Sequence, residues 1–256
     1  LKAALSRGAI SSRAASLREL AAQSDVLVLA APLDATLAHL AELATFDRLP
    51  ALTLDVASVK EPVARAGCGL AGFVATHPIA GSERSGVATA RADLFEGKIW
   101  AYDAHAAPDR VTRVGAFIAA MGATPLAVDP AEHDRVVALT SHLPQLVSVA
   151  LGRRLDASLD SAVVSALCGT GMTSLLRLAG SSWTMWRAIL GANARPVAQE
   201  VRELAAILSG VAAALESGSL DEVGDDFRAA ARAVSRLDAN VEARAAVHAS
   251  ITQNDP

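Results

Sequence analysis

A chain of 256 residues, 52% apolar and 20% charged, has the composition of an ordinary globular protein, long enough for one large domain or two modest ones. Its formal net charge is −4 and it carries no basic tract, which argues against nucleic acid as a partner. The two cysteines, Cys68 and Cys168, make neither a metal-ligand spacing nor a disulfide framework, and no apolar run approaches the ~20 residues that cross a bilayer, so a cytoplasmic location without membrane attachment is expected.

Leu1-Lys2-Ala3-Ala4-Leu5 reads as the end of a helix closed by Gly8, and with Leu1 in place of Met the natural protein is expected to begin further upstream. Val26-Leu27-Val28-Leu29-Ala30-Ala31 is a continuous apolar run ended by Pro32, with a helical pattern through Leu43 after it. Leu52-Thr53-Leu54-Asp55-Val56 repeats the design, followed by a helix after Ser58. Residues 72–76 form a third run, stopped by Pro78, and residues 99–102 and 124–128 predict later strands around a helix over 108–121. Strands without polar alternation are buried on both faces, as in a parallel sheet with helices on each side. This predicts an α/β nucleotide-binding domain over 1–129.

From residue 130 onward the apolar period is helical and no strand is predicted, which makes 130–256 an all-helical domain. Its clearest helix follows Pro196: Val197, Val201, Leu204, Leu208, Val211 and Leu215 line up as one apolar seam. The spacing fits an intrachain core and a dimer interface equally well. Ser219 with Glu222 predicts a capping box for the next helix, whose buried face would be Val223, Phe227, Val234 and Leu237.

Gly67-Cys68-Gly69-Leu70-Ala71-Gly72 satisfies G-x-G-x-x-G, the dinucleotide fingerprint. That fingerprint works after a strand and at the start of a helix, where pyrophosphate meets the helix N-terminus. Here a helix precedes the glycines and a strand follows them, so the hexad is read as a helix end and turn. A true fingerprint, and the acidic residue that reads the ribose, are expected upstream of Leu1, leaving the α/β domain short of its first βαβ unit.

The chemistry concentrates in His77-Pro78-Ile79-Ala80-Gly81-Ser82-Glu83-Arg84-Ser85-Gly86. A histidine at the carboxyl end of a buried strand lies where open α/β sheets bind ligands, and the proline and glycine after it suit a tight turn. This stretch resembles the signature of the prephenate and arogenate dehydrogenases. Asp55-Val56-Ala57-Ser58-Val59-Lys60, Thr140-Ser141-His142-Leu143-Pro144-Gln145, Thr170-Gly171, Leu176-Arg177-Leu178-Ala179 and Met185-Trp186-Arg187 resemble further landmarks of that family, and the similarity runs from near Leu1 to about Leu215.

The resemblance implies a Rossmann-like parallel sheet followed by an all-α dimerisation domain, a homodimer, and oxidative decarboxylation of prephenate with NAD, NADP remaining possible. It implies that His77 takes up the proton of the substrate's ring hydroxyl as hydride leaves the same carbon, a task that suits an imidazole. Ser58 would orient nicotinamide and substrate, and Ala31 and Pro32 would touch the cofactor. Arg177 would grip a substrate carboxylate through its rigid donor fork. His142, Glu83 and Trp186 would line the substrate pocket.

Two features depart from the family pattern: Met172, Thr173 and Ser174 replace an aromatic-basic-acidic run, and Gln145 stands where many members have histidine. The chain's end leads to the expectation of no tyrosine-binding regulatory module. An arogenate-specific enzyme and a non-catalytic dimerising homologue remain as alternatives. A hydroxy-acid dehydrogenase with a lysine base in the helical domain is disfavoured, because no lysine follows Lys98.

Overall fold

A computed structural model describes residues 2–81 and 86–252, with side chains over 2–81 and 86–240. It divides into two compact units, Leu1–Val197 and Ala198–Pro256. The first opens with α1 (Lys2–Ser6), α2 (Leu17–Gln23), β1 (Val26–Leu29), α3 (Leu33–Leu43), β2 (Leu52–Asp55) and α4 (Glu61–Ala66). It continues through β3 (Phe73–Val74), β4 (Thr76–Pro78), β5 (Ile99–Asp103), α5 (Pro108–Ala120) and β6 (Thr124–Val128). Helices follow: α6 (Pro130–Val137), a π-helical turn (Ala138–His142), α7 (Leu143–Asp156), α8 (Ala162–Leu167), α9 (Thr170–Leu176) and α10 (Trp183–Ala192).

β1, β2 and β3 pair in parallel, with Val26 opposite Leu52 and Thr53 opposite Phe73. Ala75 interrupts the third strand, and its carbonyl accepts from Asp103 N at 2.9 Å, so β4 carries on along β5 instead of β2. β4 and β5 are antiparallel, with His77 opposite Ala101, and β5 and β6 are parallel. The parallel arrangement expected from the apolar runs therefore holds for β1–β3, while the last two strands run the other way. The linkers explain the reversal. Among the described residues the β4–β5 connection holds one short 3₁₀ turn, Val87–Thr89, and no crossover helix, whereas α5 carries the chain back from β5 to β6.

Leu27, Leu29, Phe73 and Ala75 pack with Leu40 and Leu43 of α3, Val63 of α4 and Ile189 of α10. Leu52, Leu54, Val74 and Trp100 pack with Val114 and Ile118 of α5. Burial on both faces is confined to the middle of the sheet: Val26 and Val28 remain 40% and 39% exposed, and β6 also shows an open face. The Gly67–Gly72 hexad is a turn from helix to strand, as expected. Gly67 closes α4, Gly69 and Gly72 have φ of 85° and 73°, and a Cβ on Gly72 would stand 2.8 Å from Pro50 O.

α11 (Ala194–Ser217) and α12 (Leu220–Thr252) supply the second unit, with Gly218 between them at φ 77°. Ser219 precedes α12 as expected, but its hydroxyl accepts from Ser217 Oγ at 3.0 Å. Along the apolar stripe of α11, Val197 is buried while Val201, Leu208 and Leu215 are exposed. The face expected to be buried on α12 is open too, Phe227 at 75%, Val234 and Leu237 among them. Periodicity aligned these residues on one face of each helix, and among the described residues nothing covers the exposed ones. No described helix is long and apolar enough to cross a membrane.

Candidate active site

The site begins with a buried ion pair at the carboxyl end of β2. Asp55, fully buried, accepts from Ala57 N at 2.9 Å and Thr76 N at 2.7 Å, and the Lys60 ammonium pairs with Oδ2, the oxygen that also takes Ala57 N. Lys60 Nζ also donates to Thr76 O at 2.6 Å, the Thr76 hydroxyl donates to Asp55 O, and Trp100 Nε1 donates to Thr76 Oγ1 at 3.0 Å. These bonds lock β2 to the strand break that presents His77. Burial lowers the Lys60 pKa, because a dry site disfavours the ammonium, while Asp55, Asp134 and Asp103 oppose that shift.

His77 projects from β4 with Nδ1 2.9 Å from Nε2 of His133, the two rings edge to face at 5.1 Å. His133 Nδ1 lies 2.8 Å from Asp134 Oδ1. The Asp134 carboxylate accepts the backbone N–H of Lys60 at 2.6 Å and of Glu61 at 2.8 Å, so α6 grips the start of α4. Asn193 donates to Asp134 O at 2.7 Å and stands 3.2 Å from His142 Nδ1. His142, at the end of the π-helical turn, meets Trp186 edge to face at 5.7 Å. Such turns recur at functional sites.

Burial holds His77 well below the ordinary histidine value, with Lys60, His133 and His142 pushing the same way. Burial also lowers His142 to about 4, Asp134 opposing and His133 reinforcing. Both rings are therefore neutral at pH 7. In the unfolded chain each binds its proton near pH 6.5, before the folded chain does, so the native state loses stability as pH falls from about 6.5 to about 4. Urea midpoints measured from pH 7 to pH 4 should decline, and less steeply in His142→Asn; a flat series would contradict buried neutral rings.

The structure thus joins His77, His142 and Trp186 through His133, Asp134 and Asn193. Ser58 sits half-buried in the β2–α4 loop, two residues before Lys60. Ala31 and Pro32 follow β1, Ala31 O accepting from Thr36 Oγ1 at 3.1 Å and Pro32 preceding α3. Ala31 and Ser58 follow the carboxyl ends of β1 and β2, the ligand-binding edge of an open α/β sheet, and His77 lies in β4, beyond the break at Ala75 that ends β3. Arg177 ends α9, exposed, and lines a cavity of about 310 Å³ with Leu143, Pro144, Val147, Ser148 and Leu178. Glu83 lies outside the described residues. Gln145 has a structural task, donating to Leu178 O at 2.8 Å and accepting from Ser181 Oγ at 3.4 Å.

Sequence reading missed His133, Asp134 and Asn193, and it quoted Lys60 without giving it a role. An adjacent His-Asp pair just after the proline that opens a helix was the one available signal.

An α/β nucleotide-binding domain followed by helices, with a buried histidine cluster at the sheet's carboxyl edge, defines the class of protein. The family model described as prephenate dehydrogenase, nucleotide-binding domain, matches residues 1–125, and that described as prephenate dehydrogenase, dimerization domain, matches 129–229. The chain belongs to the prephenate dehydrogenase family. It is 36% identical over 165 residues to "Probable prephenate dehydrogenase NovF" of Streptomyces niveus, covering 62% of this chain and 45% of that protein. It is 32% identical over 196 residues to the prephenate dehydrogenase of Bacillus subtilis (strain 168), covering 73% and 53%. The chain spans about half the length of the curated relatives it matches. Its fold is similar to that of prephenate dehydrogenase from Aquifex aeolicus in complex with hydroxyphenyl propionate and NAD+, with a TM-score of 0.79 and 23% identity, covering 93% of this chain and 84% of that one.

Proposed function

We propose that this chain forms the catalytic body of a homodimeric prephenate dehydrogenase, converting prephenate to 4-hydroxyphenylpyruvate and carbon dioxide in tyrosine biosynthesis. One observation carries the reading: a histidine held neutral by burial sits at the carboxyl edge of the sheet, in a chain of that family. NAD, when bound, supplies the hydride acceptor. The half-exposed Ala31 and Ser58 at neighbouring strand ends fit the nicotinamide half of a dinucleotide, small side chains that leave room beside His77.

The residues then divide the work. A neutral His77 accepts the proton of the substrate's C4 hydroxyl as hydride leaves C4, and returns it to the phenolate once carbon dioxide has departed. Ser58 orients the hydroxyl and the ring that receives hydride. Arg177 binds a carboxylate, while His142, Trp186 and Glu83 shape the pocket. The exposed faces of α11 and α12 support the homodimer, since a second copy would cover them.

The same residues would serve arogenate with NADP, because amine and ketone differ in few contacts. The assay is reduction of nicotinamide at neutral pH by this chain and by the longest natural reading frame containing it, with each substrate and each cofactor. Turnover of prephenate with NAD is expected. Turnover of arogenate alone would move the assignment to the alternative, and no turnover by either protein in any combination would leave a non-catalytic dimerising homologue.

A further inference from the structure

The hydrogen-bond chain Asp134–His133–His77 has a direction, and that direction decides which nitrogen of His77 is available for chemistry. We propose that Asp134 and His133 are positioning residues that fix His77 as the Nδ1–H tautomer, leaving its Nε2 lone pair for the proton it must accept; the use of that lone pair, though not the tautomer, rests on the dehydrogenase reading above.

The direction follows from the far end inward. Both Asp134 oxygens already accept backbone N–H groups, from Lys60 and Glu61, and a backbone N–H can only donate. The carboxyl is therefore an ionised acceptor, and it accepts from His133 Nδ1 as well. Where each ring carries a single N–H, one proton lies between their facing nitrogens. Were that proton on His133 Nε2, the Nδ1 of His133 would be bare and would face the carboxylate lone pair to lone pair at 2.8 Å. The proton consequently belongs to His77 Nδ1, which donates to His133 Nε2 at 2.9 Å.

Free neutral histidine favours the opposite tautomer, so the relay does something the imidazole would not do unaided. It also prepares for the charged state. When His77 takes a proton on Nε2, the new charge faces the Lys60 ammonium, which repels it. Asp134, reached through His133, is the anion aligned to offset it.

The protein holds six histidines, so uniform 15N-histidine labelling gives a sparse spectrum. Long-range 1H–15N correlation at pH 8, with His77 assigned by its absence in His77→Asn, is expected to show a protonated Nδ1 and a bare Nε2. Asp134→Asn must set its N–H₂ against the backbone N–H of Lys60 or of Glu61, so it should weaken the acceptor that holds His133 Nδ1–H and let the His77 proton shift in part to Nε2. With prephenate and NAD that variant should lose about 10²-fold in kcat, with KM changed far less. A wild-type His77 protonated on Nε2 at pH 8 overturns the proposal without any variant having to fold. An active enzyme with that spectrum rejects the relay and keeps the dehydrogenase; an inactive protein with the expected spectrum rejects the dehydrogenase and keeps the relay.

Discussion

His77→Asn is expected to lower kcat for prephenate by about 10²–10⁴-fold, the usual worth of a positioned acid-base group, while KM stays within a fewfold of wild type. Asparagine keeps an amide that can bond His133 and is smaller than the ring, so the fold should survive with at most a modest fall in melting temperature. What it lacks is a basic lone pair. Hydride cannot leave C4 cheaply while the hydroxyl proton stays, because the carbon would become a protonated ketone with no partner for its charge. The wild-type ring is suited to the task because burial keeps it unprotonated at neutral pH, with Lys60 reinforcing that state. Nicotinamide absorbance gives the rates; a variant within tenfold of wild type would remove His77 from the proton path.

The gross plan was legible because it depends on local pattern. The apolar runs at β1, β2 and β3 end at proline or aspartate, and a 3.6-residue period prevails after β6. Strand direction was not legible at β5, since a run such as Ile99-Trp100-Ala101-Tyr102 reads the same in a parallel or an antiparallel ladder. The length and helix content of the preceding connection hold that information. The stripe through α11 and α12 shows the same limit from another side: spacing groups Phe227, Val234 and Leu237 on one face, but their partner is not written in the period.

The site divides likewise. His77 was readable because a strand end and a proline-glycine turn mark it in one short stretch. His133 and Asp134 reach it from 56 and 57 residues away, on a helix whose local sequence describes only a solvated surface with an acidic first turn. Their meaning arises when α6 lies against the start of α4, where Asp134 takes the backbone donors of Lys60 and Glu61. Gln145 taught the reverse lesson. It read as a departure from a pattern of pocket residues, and it is spent on fastening α7 to the loop before α10.

Lys60→Met is expected to have the largest effect on folding, about 3–5 kcal/mol, the cost of leaving a buried carboxylate without its partner. Asp55 is fully buried and still holds Ala57 N and Thr76 N after the substitution, but the ammonium that neutralises it is gone, and Thr76 O loses its donor. Methionine fills most of the volume, so the loss is electrostatic instead of a cavity. Adding Asp55→Asn separates charge from shape: asparagine can still accept from Thr76 N, and with no buried charge left the double variant should recover much of the stability. The pair also reaches the chemistry, since Lys60 is one of the groups that keeps His77 unprotonated. In Lys60→Met the His77 imidazole should therefore titrate at higher pH than in wild type, followed through its 15N shifts. Urea unfolding reads the stability of both variants against wild type. A single variant within about 1 kcal/mol of wild type, below the range for a broken buried pair, would mean that water reaches Asp55 and that the sheet edge is not locked by this ion pair.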